Sequence, residues 1–346
     1  MDLTNRSLTA RAAAFALICL IALGGAIAYS VLRPKTTTDE WSTTEVAMDR
    51  AAVAAVAARS HLMFRNTALG PGYGQLSLIA LDDLDGPRAP TNLRCERVHF
   101  AAGTGVCLIA QRGMITSYSV ALFDASYQTT ATLPLAGIPS RARVAPDGSL
   151  VAHTSFVSGD SYAAAGFSTR TLLVDAKSSH SLGDLEQFAV WRGEERFQSA
   201  DFNFWGVTFA SRPGAFYATL ATGGKTYLVE GDAPSRTIRV VRENVECPAL
   251  SPDNRRIAFK RRQPGIRVVW RIHVLDLASG AENAIAETRS VDDQVEWLND
   301  ETVIYALPRE SQAPSASMDV WQATADGDDT PQILLRDAES PSVIRR

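Results

Sequence analysis

The chain has 346 residues, of which 34 are basic and 38 acidic, with a formal net charge of −4 and an apolar fraction of 46%. That length is enough for one large domain or two ordinary ones, and the apolar fraction is typical of globular proteins. The balanced charge gives no general attraction to nucleic acid or to an anionic surface, so we expect no nucleic-acid partner. Any electrostatic recognition must be local.

The N-terminal region contains an uncharged apolar run, AAAFALICLIALGGAIAYSVL, over residues 12–32. At about 1.5 Å per residue, a helix of this length crosses a bilayer core of roughly 30 Å. We predict a single-pass transmembrane signal-anchor over 12–32. Residues 1–11 would be a cytoplasmic tail too short to hold a domain, so the rest of the chain is expected outside the cytoplasm, held at the cell membrane by this helix.

The flanking charges do not orient this run, because two basic residues lie close to each of its ends. An alternative to the anchor is a signal peptide. Residues 26–28 form an A-x-A-like site, and cleavage near Ala28 would release a secreted protein. The run is longer than the roughly 7 to 15 apolar residues of a usual signal peptide, which favours the anchor.

Residues 33–59 are predicted to form a linker. Its first part is rich in Pro, Thr and charge without an apolar face, which is typical of a tether. Thr44 is the predicted N-cap of a short Ala-rich helix over residues 45–59. We expect this helix to lie beside the following domain rather than to belong to it.

From residue 60 to the C-terminus, short apolar or alternating runs are broken by Gly, Pro, Asp and Asn, which is typical of an all-β chain. One phrase occurs twice, as VAPDGSLVAH over 144–153 and as LSPDNRRIAF over 250–259. Each copy predicts a tight turn that leads into a strand, and each is followed by a strand ending in Asp175 or Asp276. Such recurrence indicates a repeat architecture.

The repeat has six units when the third strand of each is counted. These strands are predicted to end near Leu81, Phe123, Val174, Val229, Leu275 and Thr324. Spacings of roughly 43 to 55 residues match a four-stranded propeller blade. We predict an all-β fold, a six-bladed β-propeller over residues 60–346. The first unit lacks an innermost strand, and we expect residues 340–345 to supply it and close the ring.

These turns and strands resemble the WD40-like PD40 repeat of TolB-type six-bladed propellers. The resemblance is clearest over residues 143–185 and 248–286. It implies the propeller fold and an envelope location. TolB-type proteins carry an additional α/β domain before the propeller, whereas about 25 residues separate the apolar run from the first unit here. No functional residue is carried over from the resemblance.

No catalytic, cofactor or metal site is predicted. Asp147 and Asp253 are expected to cap turns through their own backbone, with Gly148 and Asn254 at positive φ. The five histidines are scattered without metal-ligand spacing, and the chain has neither a G-x-S-x-G motif nor a Gly-rich phosphate loop.

Cys95 and Cys107 are the candidate disulfide pair among the cysteines beyond the apolar run. If Phe100 faces Cys107 across the turn at Gly103, Cys95 lies too far along the strand for a disulfide. The bond then forms only if Cys95 sits in a curled loop, so both outcomes stay open.

The long loops indicate a binding face. In an antiparallel blade all second-to-third strand loops emerge on the face opposite the Pro-Asp turns, and here the loops over 66–74, 156–170, 260–267 and 308–317 are long. Insertions collected on one face predict the binding face. The candidate contact residues in or beside these loops are Tyr73, Tyr162, Phe167, Arg261, Arg262 and Trp270.

Two classes of function fit these features. The first is a membrane-tethered extracytoplasmic interaction module, a TolB-like translocation or envelope protein. It would act as a monomeric propeller that binds an envelope protein or an anionic cell-wall polymer. The second is an extracytoplasmic propeller enzyme, a hydrolase or lyase, whose carboxylates converge in the central channel. We favour the first class because the sequence has no catalytic motif.

Overall fold

The computed structural model describes residues 3–32, 44–157, 168–309 and 317–346. It contains two compact units, Met1–Thr43 and Thr44–Arg346. The first unit holds helix α1 (Leu3–Leu32). Within the described part of the chain, no helix has both the length and the hydropathy of a membrane span. The anchor over residues 12–32 stays a prediction.

The second unit begins with helix α2 (Arg50–Ala57), which is shorter than predicted. Its N-cap is Asp49, whose carboxylate accepts the N–H groups of Ala51 and Ala52 at 2.9 and 3.2 Å. The prediction of Thr44 as N-cap was wrong, because the Thr44 carbonyl instead accepts a backbone N–H from the first blade. Val53 of α2 is buried in an apolar cluster of the propeller, so the helix packs onto the domain.

The rest of the second unit is a ring of six antiparallel sheets, the blades, which confirms the six-bladed propeller. Within each blade the strands are named from the innermost to the outermost. Blade 1 consists of β26 (Ala338–Ile344), β1 (His61–Asn66), β2 (Gln75–Ala80) and β3 (Ala89–Arg94). Blade 2 consists of β4 (Arg97–Ala101), β5 (Thr104–Gln111), β6 (Ser117–Asp124) and β7 (Thr129–Pro134). Blade 3 consists of β8 (Ile138–Val144), β9 (Leu150–Val157), β10 (Ser168–Asp175) and β11 (Ser181–Asp184).

The other three blades follow in chain order. Blade 4 consists of β14 (Asn203–Phe209), β15 (Ala215–Thr222), β16 (Lys225–Asp232) and β17 (Thr237–Glu243). Blade 5 consists of β18 (Glu246–Leu250), β19 (Arg256–Arg262), β20 (Trp270–Asp276) and β21 (Glu282–Ala284). Blade 6 consists of β22 (Glu296–Trp297), β23 (Thr302–Pro308), β24 (Met318–Thr324) and β25 (Gln332–Leu335).

Blade 4 has an addition that the sequence analysis did not anticipate. After a short 3-10 helix (Leu185–Gln187), strands β12 (Ala189–Arg192) and β13 (Glu195–Arg196) form a hairpin. Strand β12 pairs in parallel with the outermost strand β17, which extends this sheet to six strands.

The C-terminal strand closes the ring. Strand β26 pairs with β1 in antiparallel register, with His61 opposite Ile344, so the expectation that the tail supplies the innermost strand of blade 1 is confirmed. In the described residues, one apolar cluster fills each of the six interfaces between neighbouring blades. The core is therefore a ring of interblade layers around a central channel.

The propeller has two faces, because antiparallel strands alternate in direction. We call the face with the first-to-second strand turns the turn face. The opposite face carries the second-to-third strand loops and the connections between blades, and we call it the loop face. Thr44 lies at the loop face, where its carbonyl accepts the N–H of Gly72 at 3.0 Å.

The repeated Pro-Asp phrases are turns, as predicted. The Asp147 carboxylate accepts the Ser149 N–H at 3.0 Å and that of Asp253 accepts the Arg255 N–H at 3.0 Å. The next residue in each turn has positive φ, +73° at Gly148 and +61° at Asn254. These carboxylates build turns of the blades.

Cys95 and Cys107 form a disulfide, with their Cα atoms 5.2 Å apart. The expected register was wrong: Val98, not Phe100, lies opposite Cys107. The turn is tighter than expected because Ala102 and Gly103, both with positive φ, form a two-residue hairpin loop. Cys95 therefore lies two residues before the start of β4, close enough to Cys107 for a disulfide.

Candidate functional site

The innermost strands line the central channel with charged side chains. Side chains of a strand point alternately to the two faces of its sheet, so those of an innermost strand point to one or the other neighbouring blade at the wall of the channel. Arg143 of β8 forms an ion pair with Glu296 of β22. Blades 3 and 6 are opposite each other in a ring of six, so this pair crosses the channel. Arg143 also donates to the Val295 carbonyl at 2.5 Å.

A second network lies nearer the loop face. Glu339 of the closing strand pairs with Arg97 of blade 2, and with Arg65 of blade 1 at 3.2 Å. Glu96 lies 3.6 Å from Arg65 and accepts from Arg112 at 2.8 Å. The two carboxylates and three guanidinium groups of this network pair with one another across the first two blades.

A third group links blades 3 and 5. Asp292, in the connection between blades 5 and 6, accepts from Lys260 at 2.6 Å and lies 3.7 Å from Arg141. Lys260 is only 4% exposed and lies above the Trp270 ring, 4.6 Å from its centroid. Its charge is therefore held by a carboxylate and an aromatic ring.

His99 is the histidine of the channel, and it is held as a neutral ring. The Val144 N–H donates to its Nδ1 at 3.1 Å, and its Nε2 lies 3.6 Å from Glu296. Burial lowers the pKa of His99 by more than the contact with Glu296 raises it. The proton of the neutral ring is therefore on Nε2.

Glu296 is held in its charged form. Burial alone would raise the pKa of this carboxyl, but the charge of Arg143 and the contact with His99 outweigh burial and lower the pKa to about 2. At neutral pH the channel thus contains a fixed carboxylate, a fixed guanidinium and a neutral imidazole.

On the turn face the channel widens into a cavity of about 230 Å³, which we call the funnel. Its inner end contains Arg143, Glu296 and His99. All six blades contribute to its wall, through residues at the ends of the innermost strands or in the turns that follow. In blade order these include Arg345, Ala101, Pro146, Ser211, Pro252 and Trp297. The wall is mixed in polarity, and bridges such as the 2.7 Å bond from Asn254 Nδ2 to Ser211 Oγ hold neighbouring turns together.

The predicted contact residues differ in their surroundings. Tyr73 is half-buried, with the Arg65 guanidinium 5.0 Å from its ring centroid. Trp270 is half-buried, and its indole N–H donates to Glu246 at 3.2 Å. Arg261 pairs with Glu282, whereas Arg262 is exposed at the loop face. Tyr162 and Phe167 lie outside the described residues.

No metal centre is found in the described residues, which contain no group of three or more His, Cys, Asp or Glu able to hold an ion.

The sequence analysis missed the channel residues. A signal was present, because Arg97 and His99 alternate along β4 and Arg141 and Arg143 alternate along β8. Charges at every second position of an innermost propeller strand indicate a polar channel. Each of these arginines pairs with an acid far away in the chain, so the ion pairs could not be predicted from the sequence.

Neither a family model nor a curated protein sequence matches the chain. Solved structures do match. TolB from Acinetobacter baumannii superposes with a TM-score of 0.55 at 15% identity, over 83% of this chain and 67% of that one. A chain of the nidogen/laminin complex gives a TM-score of 0.54 at 11% identity, over 82% and 98% of the two chains. The structure of a putative TolB from Agrobacterium tumefaciens gives a TM-score of 0.48 at 11% identity, over 80% of this chain and 89% of that one. At these identities the likeness shows the fold alone: a six-bladed β-propeller with TolB structures among its neighbours.

Proposed function

We propose that this protein is a membrane-tethered interaction module of the cell envelope, TolB-like in its role. It binds a partner in the funnel of the turn face, opposite the face that the long loops predict. The partner is an envelope protein or an anionic cell-wall polymer. One observation carries the proposal: the wall of the funnel comes from all six blades, while the charged groups at its inner end are already engaged with one another. This arrangement offers a shaped, rigid surface.

The same geometry argues against proton-transfer catalysis at this site. A general acid or base works best with a pKa near the working pH. Glu296, with a pKa of about 2, stays ionised, and His99 has its Nδ1 occupied by a backbone N–H. Neither group is poised to exchange a proton at neutral pH.

The location belongs to the proposal. The uncharged run over residues 12–32 supports a single-pass anchor, and the PD40-like turns support a place outside the cytoplasm. In a neighbouring fold, the nidogen/laminin structure, a propeller was crystallised as part of a complex between proteins. That observation concerns those proteins, and it is compatible with a binding role here.

The test is crosslinking in intact cells followed by affinity capture of the full-length protein. Ser211→Trp places a large ring at the wall of the funnel, and we expect it to abolish capture of the partner. Ser211→Ala is the matched control: it removes the same hydrogen bond to Asn254 but adds no volume, so capture should persist.

Two other outcomes count against the proposal. If the Ser211→Trp and wild-type proteins capture the partner equally, the partner does not bind in the funnel. Recovery of no specific partner, together with turnover of a glycan or peptide by the purified protein, would favour the propeller enzyme instead. An alkaline phosphatase fused after Arg346 tests location, because it is active only if the propeller lies outside the cytoplasm.

A further inference from the structure

The loop face presents large apolar side chains to solvent. Met114 and Ile266 are as exposed as in an extended peptide, at 107% each, and Ile115 is 87% exposed. Smaller contributions come from other loops and strand ends of the same face. The set consists of Leu69, Met114, Ile115, Ile138, Ile266 and Val268. They are spread over the face as separate loop tips.

The topology assigns these residues to one face. Met114 and Ile115 lie in the β5–β6 loop of blade 2, and Ile266 lies in the β19–β20 loop of blade 5. Both are second-to-third strand loops. Leu69 occupies the corresponding loop of blade 1, and Ile138 follows the connection from blade 2 to blade 3. Blades 2 and 5 are opposite each other in the ring, so the two main tips lie on opposite sides of the face.

The charge at the tips is positive. The β5–β6 loop reads Arg112-Gly-Met-Ile-Thr, and the β19–β20 loop contains Arg267 next to Ile266. Neither loop has an acidic residue. Arg262, at the start of the second loop, is also exposed. Arg112 has one carboxylate partner, Glu96 at 2.8 Å, on the same face. An apolar tip flanked by arginine suits the interface of an anionic bilayer.

The chain enters the propeller at this same face. The Thr44 carbonyl accepts the Gly72 N–H at 3.0 Å, in the β1–β2 loop. Val46, two residues after Thr44, is bound by the Gln75 side chain. Gln75 accepts the Val46 N–H at 2.7 Å and donates to its carbonyl at 3.0 Å. Residues 33–43 form the sequence between the apolar run and Thr44, and eleven residues reach at most about 40 Å.

We propose that the loop face docks on an anionic lipid surface, with Met114, Ile115 and Ile266 inserted among the headgroups and the neighbouring arginines bound to lipid phosphate. The orientation rests on the tether of the proposed function, since the chain enters the propeller at this face. The turn face and its funnel would then point away from the membrane, toward a partner.

A lipid surface fits these tips better than a protein groove does. Tips on opposite sides of a broad face can enter a flat fluid interface together without shape complementarity. A protein partner would have to cover the whole face to reach both. The lipid surface also accounts for arginine beside each tip.

The test uses the propeller unit, residues 44–346, because its ring closes on itself and its apolar clusters lie within it. Flotation with vesicles of phosphatidylcholine, with and without phosphatidylglycerol, measures lipid binding without the N-terminal helix. We expect binding to the anionic vesicles. Met114→Ser with Ile115→Ser should weaken it about tenfold, and Ile266→Ser should have a similar effect. Arg267→Gln should weaken it about fivefold on anionic vesicles only.

The control is Val241→Ser, which removes a 46% exposed apolar side chain from the outer strand β17, away from the loop tips. It should leave vesicle binding unchanged. All these positions are exposed, so thermal unfolding should match that of the wild type in every variant. Absence of vesicle binding, or equal binding by the loop variants, would overturn the proposal. The proposal would also be overturned if the propeller unit bound no lipid and these variants instead lost a protein partner that the wild type captures.

This result is separable from the proposed function. If the full-length protein is not held in the membrane but the propeller unit binds vesicles, the tether fails and the docking stands. If the full-length protein is anchored while Ile115→Cys, labelled with an environment-sensitive dye in a Cys19→Ser background, reports water in nanodiscs, the docking fails and the tether stands.

Discussion

Ser342 in the closing strand bonds to the backbone of Phe100 in the next blade: its hydroxyl accepts the Phe100 N–H at 3.1 Å and donates to the Phe100 carbonyl at 3.4 Å. Ser340 makes the same pair of bonds with Val98, at 3.0 and 3.3 Å. The inner edge of β4 has no neighbouring strand in its sheet, and these serines satisfy its N–H and C=O groups.

Removing one of these hydroxyls should destabilise the closed ring. Ser342 is fully buried, so Ser342→Ala leaves the Phe100 N–H and C=O without that partner. We expect the free energy of unfolding in urea to fall by about 1–3 kcal/mol. Ser117→Ala, which removes an exposed hydroxyl, is the control and should change it by less than about 0.5 kcal/mol. Equal effects of the two substitutions would contradict this role of Ser342.

The Glu339 carboxylate should matter more than a surface carboxylate of the same kind. Its partners Arg65 and Arg97 are mostly buried, and Glu339→Gln leaves Arg97 without this carboxylate and Arg65 with only Glu96 at 3.6 Å. We expect a loss of about 3 kcal/mol in unfolding free energy. Glu243→Gln breaks only an exposed pair with Lys225 and should cost at most about 1 kcal/mol. Similar losses in both variants would show that the channel network contributes little.

Glu296 should make the protein sensitive to strong acid. Its pKa in the folded protein is about 2, below the usual 4.5, so the unfolded chain binds the proton first as the pH falls. The stabilisation is therefore complete above about pH 4.5 and is lost as the pH falls toward 2. At about 1.36 kcal/mol per pKa unit the full effect is about 3 kcal/mol. Urea unfolding at several pH values should show a shallower slope below pH 4.5 in Glu296→Gln.

His153 should act in a higher pH window. Burial lowers its pKa to about 4, against 6.5 in the unfolded chain, so the folded protein holds it neutral. Its contribution is complete above pH 6.5 and is lost as the pH falls through 4, by about 3 kcal/mol. His153→Leu should flatten the pH dependence of unfolding between 6.5 and 4. A slope identical to that of the wild type would assign this sensitivity to other groups.

The disulfide should contribute to stability through the loop that it closes. Cys95 and Cys107 are 12 residues apart, and a crosslink over such a loop contributes about 3 kcal/mol. The wild-type protein should therefore unfold at lower urea concentration after reduction by dithiothreitol. The Cys95→Ala, Cys107→Ala double variant should start at the lower value and not respond to dithiothreitol. A response in the double variant would point to another redox-sensitive group.

Local patterns in the sequence were sufficient for the blades. Turn residues such as Asp147 and Gly148 act on their own neighbours within the chain, so their role is visible in a short window. The same kind of local bond recurs at the third-to-fourth strand turns. Asp175, Asp232 and Asp276 each accept the N–H and hydroxyl of a serine three residues on. The Asp232 copy was missed because no Pro-Asp phrase precedes it in blade 4, where the corresponding turn reads Ala210-Ser-Arg-Pro-Gly.

The channel could not be predicted in the same way. Arg143 and Glu296 are 153 residues apart in the chain and meet because blades 3 and 6 face each other across the ring. Arg97 and Glu339 are separated by 242 residues. Nothing local links such partners, since their contact depends on how many blades the ring holds and where it closes.

By itself, the sequence determined the all-β class, the six repeats, the turn roles of Asp147 and Asp253, and the closure by the C-terminal strand. These follow from hydrogen bonds between near neighbours and from strand periodicity. Only the tertiary structure decided the N-cap at Asp49, the bond between Cys95 and Cys107, the partners of Arg143 and Glu339, and the gathering of Met114 and Ile266 on one face. The N-cap and the disulfide depend on where α2 begins and on the register of the β4–β5 hairpin. The other two depend on closure of the ring, which brings together residues that no local pattern connects.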